Sequence, residues 1–406
     1  MNYSRCRHGA IHSSSPVRLA RHVVLAVALS AFGMAEAGAQ GAAMQSPAAT
    51  SDAKAAYLAR LAEYQAARQQ FEALAQPYWA SVTAKRTARR AKRARGETIV
   101  AEDYVLDQPP VYSGPAKPVD PNPEPEKTQQ PPGAPIPVVA DFLRNALEQF
   151  QFVPKKVEEI EFKKAYAGTA AAAGLTRDQA VRIYGFESGG DGKYDVQAGL
   201  EYDRPGAHAI STALGYNQLL TTNTIGLLVE RGGDILEALK AKAAGSDAAR
   251  KAELDQKINV VGQMIQFSKS VPDDWSEQEK LGTTPGGLAV HALNLDIDVG
   301  PLLQTWKLVD SVNFARRKNF GGPLAAAELE MMNLTGDGSG FDMISIPPAM
   351  RPQVPTSNFF QRGGYERNPV AIRNNTVASL LTATDAKMDK EVQLQGARDL
   401  AAAFPK

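Results

Sequence analysis

The 406 residues contain a single cysteine, Cys6, placed ahead of an apolar run near the N-terminus. A lone thiol closes no disulfide within the chain and builds no thiolate metal cluster. At this position it is also not the lipid-modified residue that directly follows a cleavage site. Histidine is nearly as scarce: of five, only His208 and His291 lie beyond residue 22, too few for a histidine-based metal centre. The chain shows no EF-hand loop, no phosphate-cradling glycine loop and no Gly-x-Ser-x-Gly elbow. No metal or cofactor is therefore expected. Neither sign of charge is in excess, with 45 Lys and Arg against 44 Asp and Glu. Alternating strand patterns are few, and internal repeats are lacking.

The N-terminus reads as a secretory leader. Arg5, Arg7, Arg18 and Arg21 precede a mostly apolar stretch from His22 to Met34, and Ala37-Gly38-Ala39 is a small-residue cleavage site. The apolar stretch is too short to span a bilayer comfortably. Residues 1–39 are accordingly expected to be a signal peptide, and the mature chain periplasmic or secreted after cleavage near Ala39. An uncleaved signal anchor is the other reading.

Residues 40–106 read as a helical, basic N-terminal arm. Positions 57, 61, 64, 68, 71, 75, 78 and 82 carry Tyr, Leu, Tyr, Arg, Phe, Ala, Tyr and Val, a heptad seam with Arg68 as a charged intruder. Pro77 within the seam predicts a kinked helical pair. The seam is short, which favours folding onto the main domain over pairing with a second chain. Lys85 to Arg95 holds seven basic residues in eleven, the pattern of a segment that meets an anionic membrane surface or of a solvated helix end. With an export signal upstream, nucleic acid is not expected as a partner. Asp107 to Pro137 contains eleven prolines and reads as a polyproline linker, able to reach on the order of 100 Å at ~3.1 Å per residue.

From residue 138 onward the periodicity is that of a mainly α domain. Val139, Phe142, Leu143, Ala146, Leu147 and Phe150 form one stripe, and a second helix is predicted from Val157 to Ala173. Further helices are predicted over Ile225–Glu230, Ile235–Ala243, Ala248–Ser268 and Gly287–Leu295, with at most a short β-hairpin near 194–218. The domain is drawn at 138–320. Residues 321–406 read as a C-terminal extension, irregular over 321–365 and then helical over Ala371–Ala383 and Lys387–Ala403.

The centre of the chain is the stretch from Thr176 to Thr224. Thr176 and Gln179 have the spacing of a capping box, and Gly189-Gly190 stops the helix that follows. Ala180, Ile183, Tyr184 and Glu187 fall at i, i+3, i+4 and i+7, so one carboxylate ends an apolar face on the last helical turn. Burial and the negative end of the helix dipole both favour its protonated form, as a general acid requires. The same spacing fits a glutamate on a fraying end that points to water.

Phe186-Glu187-Ser188-Gly189 is similar to the Glu-Ser pair of lysozyme-like lytic transglycosylases, and Gly215-Tyr216-Asn217-Gln218-Leu219-Leu220 looks like that family's Gly-Leu-Met-Gln-Leu segment. Ala292-Leu293-Asn294, followed by Gly300-Pro301, resembles its Ala-Tyr-Asn-Ala-Gly-Pro motif, with Leu293 standing where the family has tyrosine. The resemblance covers residues 165–310. It implies a lysozyme-like helical domain that cleaves peptidoglycan glycan strands, with Glu187 as acid and base. Ser188, Tyr216, Gln218 and Asn294 would then bind or orient the sugar, and no cofactor is needed.

A hydrolytic variant would need a second carboxylate, for which Asp191, Asp195, Glu201 and Asp203 are candidates. His208 and His291 are alternative bases. Two other classes remain beside the enzyme: a catalytically weak peptidoglycan-binding module, and an envelope scaffold working through its heptad seam and basic arm.

Overall fold

The computed structural model describes residues 47–121, 135–200 and 206–405. The signal-peptide reading, residues 122–134 of the proline tract, Glu201 and Asp203 lie outside the described residues. The architecture is mainly α. Among the described residues there is no strand, and the hairpin expected near 194–218 amounts to isolated bridges from Gln197 to Leu214 and from Leu214 to Leu219. No helix among them is long and apolar enough to cross a membrane.

The arm is one helix, α1 (Pro47–Ala94), which runs through Pro77 instead of breaking into a pair. A mid-helix proline costs about 3 kcal/mol. Here Ala75, Trp79 and Val82 flank it and are buried in the main core, and that packing offsets the cost. The seam thus docks onto its own chain. Arg68 lies over the rings of Phe71 and Tyr112, 5.0 and 4.8 Å from their centroids. The Tyr78 hydroxyl is 2.7 Å from Ser357 Oγ.

The basic stretch 85–95 is largely turned inward. Arg86 donates to the carbonyls of Asn358 and Phe360. The fully buried Arg89 pairs with Asp342 at 3.0 Å, and Arg93 pairs with the same carboxylate. Lys85 caps the carbonyls of Glu102 and Tyr104, and Lys92 pairs with Asp103. Arg90 and Arg95 remain exposed. The chain then folds back along α1. Val105 exchanges two hydrogen bonds with the Asn358 side chain, at 3.0 and 2.8 Å. Pro109 is buried and Tyr112 packs edge-on against Phe71, so the start of the proline tract is docked.

Two cores follow. One is built by α2 (Val139–Phe150), α5 (Thr221–Ala244), α6 (Ala248–Ser268), α7 (Trp275–Gly282) and α8 (Pro285–His291). Phe142, Ile225, Leu228, Leu254, Val261 and Leu293 meet there. The other joins α3 (Glu159–Ala172) and α4 (Arg177–Ser188) to α1 and to everything after residue 320. Helix α9 (Gly300–Arg317) serves both, giving Leu303 to the first and Leu308 to the second. The loop ahead of α9 is pinned electrostatically. Buried Lys257 of α6 reaches Asp296 at 2.8 Å and Asp298 at 2.5 Å, and Arg250 reaches Asp298 at 2.6 Å.

Glycines misdirect a reading by periodicity at two places. Gly232-Gly233 suggests two helices where α5 is continuous. Gly232 lets α6 approach, since a Cβ there would lie 2.8 Å from Ile265 Cγ2. Residues 321–365 are not irregular: they contain α10 (Ala326–Thr335) and α11 (Asp337–Ile344). Gly340 belongs to the contact between these helices, since a Cβ there would stand 2.4 Å from Met332 Cα. The C-terminus then forms α12 (Arg362–Glu366), α13 (Pro369–Arg373), α14 (Val377–Glu391) and α15 (Gln395–Ala403). Thr376 caps α14 with Ser379 and divides what reads as a single helix over 371–383. Because α10, α14 and α15 pack on α3 and α4, the core runs straight across the boundary drawn at 320.

Candidate active site

Helix α4 is set by its two ends. The Thr176 amide donates to Gln179 Oε1 at 3.0 Å, and the Gln179 amide donates to Thr176 Oγ1 at 3.1 Å. Gly189 stops the helix in the left-handed region at φ 68°. Between them Ala180, Ile183 and Tyr184 are fully buried, and Glu187 continues their face onto the last turn, where it is half-buried.

Helix α10 covers that turn and contributes Glu330 and Asn333. These residues are three apart and so share a face. Asn333 Nδ2 donates to Glu187 Oε1 at 2.7 Å. Glu330 is 0% exposed, and neither of its side-chain oxygens has a hydrogen-bond partner among the described residues. Glu187 is the charged group that acts on it most strongly. Two carboxylates that act on each other in a buried site each disfavour the other's charged form. Burial raises both above the usual carboxylate range, and Glu330 further than Glu187 because the Glu187 charge adds to its burial. Glu187 is drawn back toward ionisation by Lys387 of α14, by Lys307 of α9 and by the Asn333 hydrogen bond. Lys387 Nζ also donates to the Phe186 carbonyl at 2.9 Å and lies 4.0 Å above the Phe186 ring.

The other residues expected at the site are held elsewhere. Ser188 Oγ bonds back to the Tyr184 carbonyl at 2.6 Å within its own helix. Tyr216 is fully buried, donates to Glu159 Oε1 at 2.6 Å, and meets Phe162, Tyr166 and Tyr184 edge to face, so its ring offers no platform to a sugar. Gln218 stitches its own turn, donating to the Gly215 carbonyl at 2.8 Å. Asn294 is fully buried, donates to Thr224 Oγ1 at 2.9 Å and accepts from Gln304 Nε2 at 2.9 Å. Gln304 in turn accepts from the Asn217 amide at 2.8 Å. The segment around 215–218 and the Ala292–Asn294 turn are thus brought together, but as a buried hydrogen-bond network under the site.

Asp191 accepts from the Gly396 amide at 2.7 Å and is taken up by α15. The second carboxyl of the site is Glu330, which sequence reasoning missed. Its signal was the run Ala326-Ala-Glu-Leu-Glu-Met-Met-Asn333, all but the last strong helix formers, with an acid between Leu329 and Met331. His208 is exposed and His291 is buried. Among the described residues no group of three or more His, Cys, Asp or Glu is arranged to hold a metal ion. A separate cleft of about 350 Å³ lies between α1 and the C-terminal helices, lined by Arg68, Phe71, Trp79, Tyr112 and Tyr365 among others, and none of the residues around Glu187 borders it.

The arrangement sets a half-buried carboxyl and a fully buried one against each other, both pushed toward the protonated form, with two lysines acting on Glu187 and an amide donor held on it. It is suited to giving and retrieving a proton. No family model, curated protein or solved structure matches the chain.

Proposed function

We propose that the chain cleaves peptidoglycan glycan strands in the manner of lysozyme-like lytic transglycosylases, with Glu187 as the acid and base. The observation that carries this reading is the half-buried Glu187 carboxyl at the end of an apolar helix face, its pKa raised by burial, hydrogen-bonded to Asn333. In the acid step Glu187 passes its proton to the glycosidic oxygen as the bond from that oxygen to C1 breaks and the bonding pair moves onto the oxygen. In the base step the Glu187 carboxylate takes the proton of the muramic acid 6-hydroxyl, whose oxygen bonds to C1 and closes the 1,6-anhydro ring. Protons balance over the two steps and no water is consumed. The substrate lies along the half-buried rim of Phe186, Glu187, Ser188 and Asn333. Ser188, Tyr216, Gln218 and Asn294 serve this site by holding its scaffold. The reading places the protein outside the cytoplasm, after a leader ending near Ala39, with Arg90 and Arg95 the basic-arm side chains facing outward to an anionic surface.

A binding module is favoured by one specific observation: Tyr216 and Asn294, expected to contact sugar, are closed in the core. Purified protein incubated with sacculi separates the two. Release of anhydro-muropeptides that falls at least 100-fold in Glu187→Gln supports the enzyme. Sedimentation with sacculi and no release, equal in both proteins, supports the binding module and overturns the enzymatic reading.

A further inference from the structure

The cleft between α1 and the C-terminal helices has no part in the chemistry above. At about 350 Å³ it falls in the range of small-ligand sites, roughly 300–1,000 Å³. Four rings line it: Phe71 and Trp79 of α1, Tyr112 of the docked proline tract and Tyr365 of α12. The rings are set by contacts of the fold itself. Trp79 and Tyr365 meet at 5.6 Å, Tyr112 packs edge-on against Phe71 at 5.5 Å, and the Tyr112 hydroxyl donates to the Pro115 carbonyl at 2.8 Å. Val111 and Ile372 also line the cleft, and they are 78% and 40% exposed. Aliphatic surface left open beside preset rings has the character of a binding site.

The charges around the cleft are balanced. Arg362 of α12 holds the two oxygens of Glu72 at 2.7 and 2.8 Å and reaches Glu366 at 2.8 Å, while Arg68 pairs with Glu72 at 3.0 Å. Two guanidinium groups thus meet two carboxylates, and the wall offers an ion no surplus charge. Arg68, lying over Phe71 and Tyr112, also repels a cation from those rings. Gln108 and Asn375 add exposed side-chain amides to the rim. Gln108 Nε2 donates to the Asn375 carbonyl at 3.3 Å and keeps its second proton, and each amide can both donate and accept. A pyranose matches this set. Its C–H face is apolar and lies on aromatic rings, while its hydroxyls and an acetamido group need donors and acceptors at the edge. Pro109 and Pro110 already line the wall that a polyproline ligand would need. We propose that this cleft binds an uncharged N-acetylhexosamine unit of a glycan strand. This deepens the glycan reading by giving the strand a second hold away from Glu187, and it rests on that reading for the choice of sugar.

The test titrates the full chain with the N-acetylglucosamine tetramer and follows the indole N–H resonances by ¹⁵N NMR. Of the three tryptophans only Trp79 lines the cleft, since Trp275 lies on α7 and Trp306 packs against the first core. The Trp79 resonance, assigned by its loss in Trp79→Phe, should move saturably while the other two stay. Tyr112→Ala should weaken binding about 10-fold, and Asn375→Ala, at an exposed position where the fold loses nothing, about 3-fold. A Trp79 resonance that stays fixed up to roughly 10 mM tetramer overturns the proposal. So does equal affinity in both variants, or a proline decamer that moves Trp79 where the tetramer does not. Release from sacculi is read separately. A Trp79 response in a protein that releases nothing retains the cleft and refutes cleavage, and release with a silent Trp79 does the reverse.

Discussion

The buried imidazole of His291 is one of the groups that couple this fold to acid. His291 is 0% exposed, with Nε2 2.8 Å from the Thr212 carbonyl and Nδ1 2.8 Å from Thr224 Oγ1. A carbonyl only accepts, so Nε2 carries the ring proton and Nδ1 accepts from the Thr224 hydroxyl. A second ring proton would point at that hydroxyl and at Asn294 Nδ2, 3.3 Å away and itself a donor. Burial lowers the pKa from 6.5 to about 4, opposed only by the Thr212 bond. The folded state thus binds fewer protons than the unfolded chain between these values. The stabilisation is complete above pH 6.5 and is lost as pH falls toward 4. At ~1.36 kcal/mol per pH unit the loss is about 2 kcal/mol by pH 5 and about 3 kcal/mol by pH 4. His291→Gln retains an amide for Thr212 and has nothing to titrate. Urea unfolding of both proteins at pH 7.5, 6, 5 and 4 measures the effect. The native advantage over the variant should shrink by about 2 kcal/mol between pH 7.5 and 5. Taking the difference cancels the Glu187–Glu330 pair, whose raised values act with the opposite sign. A difference that stays flat across the series would refute the reasoning.

Arg89→Met should cost about 3 kcal/mol, since it leaves buried Asp342 with Arg93 alone and strips the guanidinium from above the Tyr104 ring, 4.3 Å away. Trypsin digestion should then release α1 first, and a loss below ~1 kcal/mol would mean that the arm is not held by this pair. Gly340→Ala should destabilise by about 1–3 kcal/mol in chemical denaturation, because the added methyl meets the backbone of Met331 and Met332 instead of a side chain that can turn aside. An unchanged midpoint would show that α10 and α11 part freely.

The local grammar of this chain was legible without coordinates. Thr176 and Gln179 could only cap a helix, Gly189 could only end it, and the 3.6-residue period put Glu187 on the face of Ile183 and Tyr184, because each of these follows from backbone geometry within one turn. The shortness of the heptad seam favoured docking onto its own chain over pairing with a second, and packing of Ala75, Trp79 and Val82 into the main core is what the structure shows. What the period could not show was the surface on the far side of that face. Glu330 lies 143 positions after Glu187 in the chain, on a helix flanked by glycines that read as loops, and only the packing of α10 on α4 lets each carboxyl act on the other. Packing likewise decided the fate of Tyr216 and Asn294: their order along the chain suggested a groove, and the cores closed over them, while Gln218 was spent on its own turn. Sequence spacing fixes which side chains share a face, whereas a pKa is fixed by what is brought against that face from elsewhere, and that comes into being only when the helices meet.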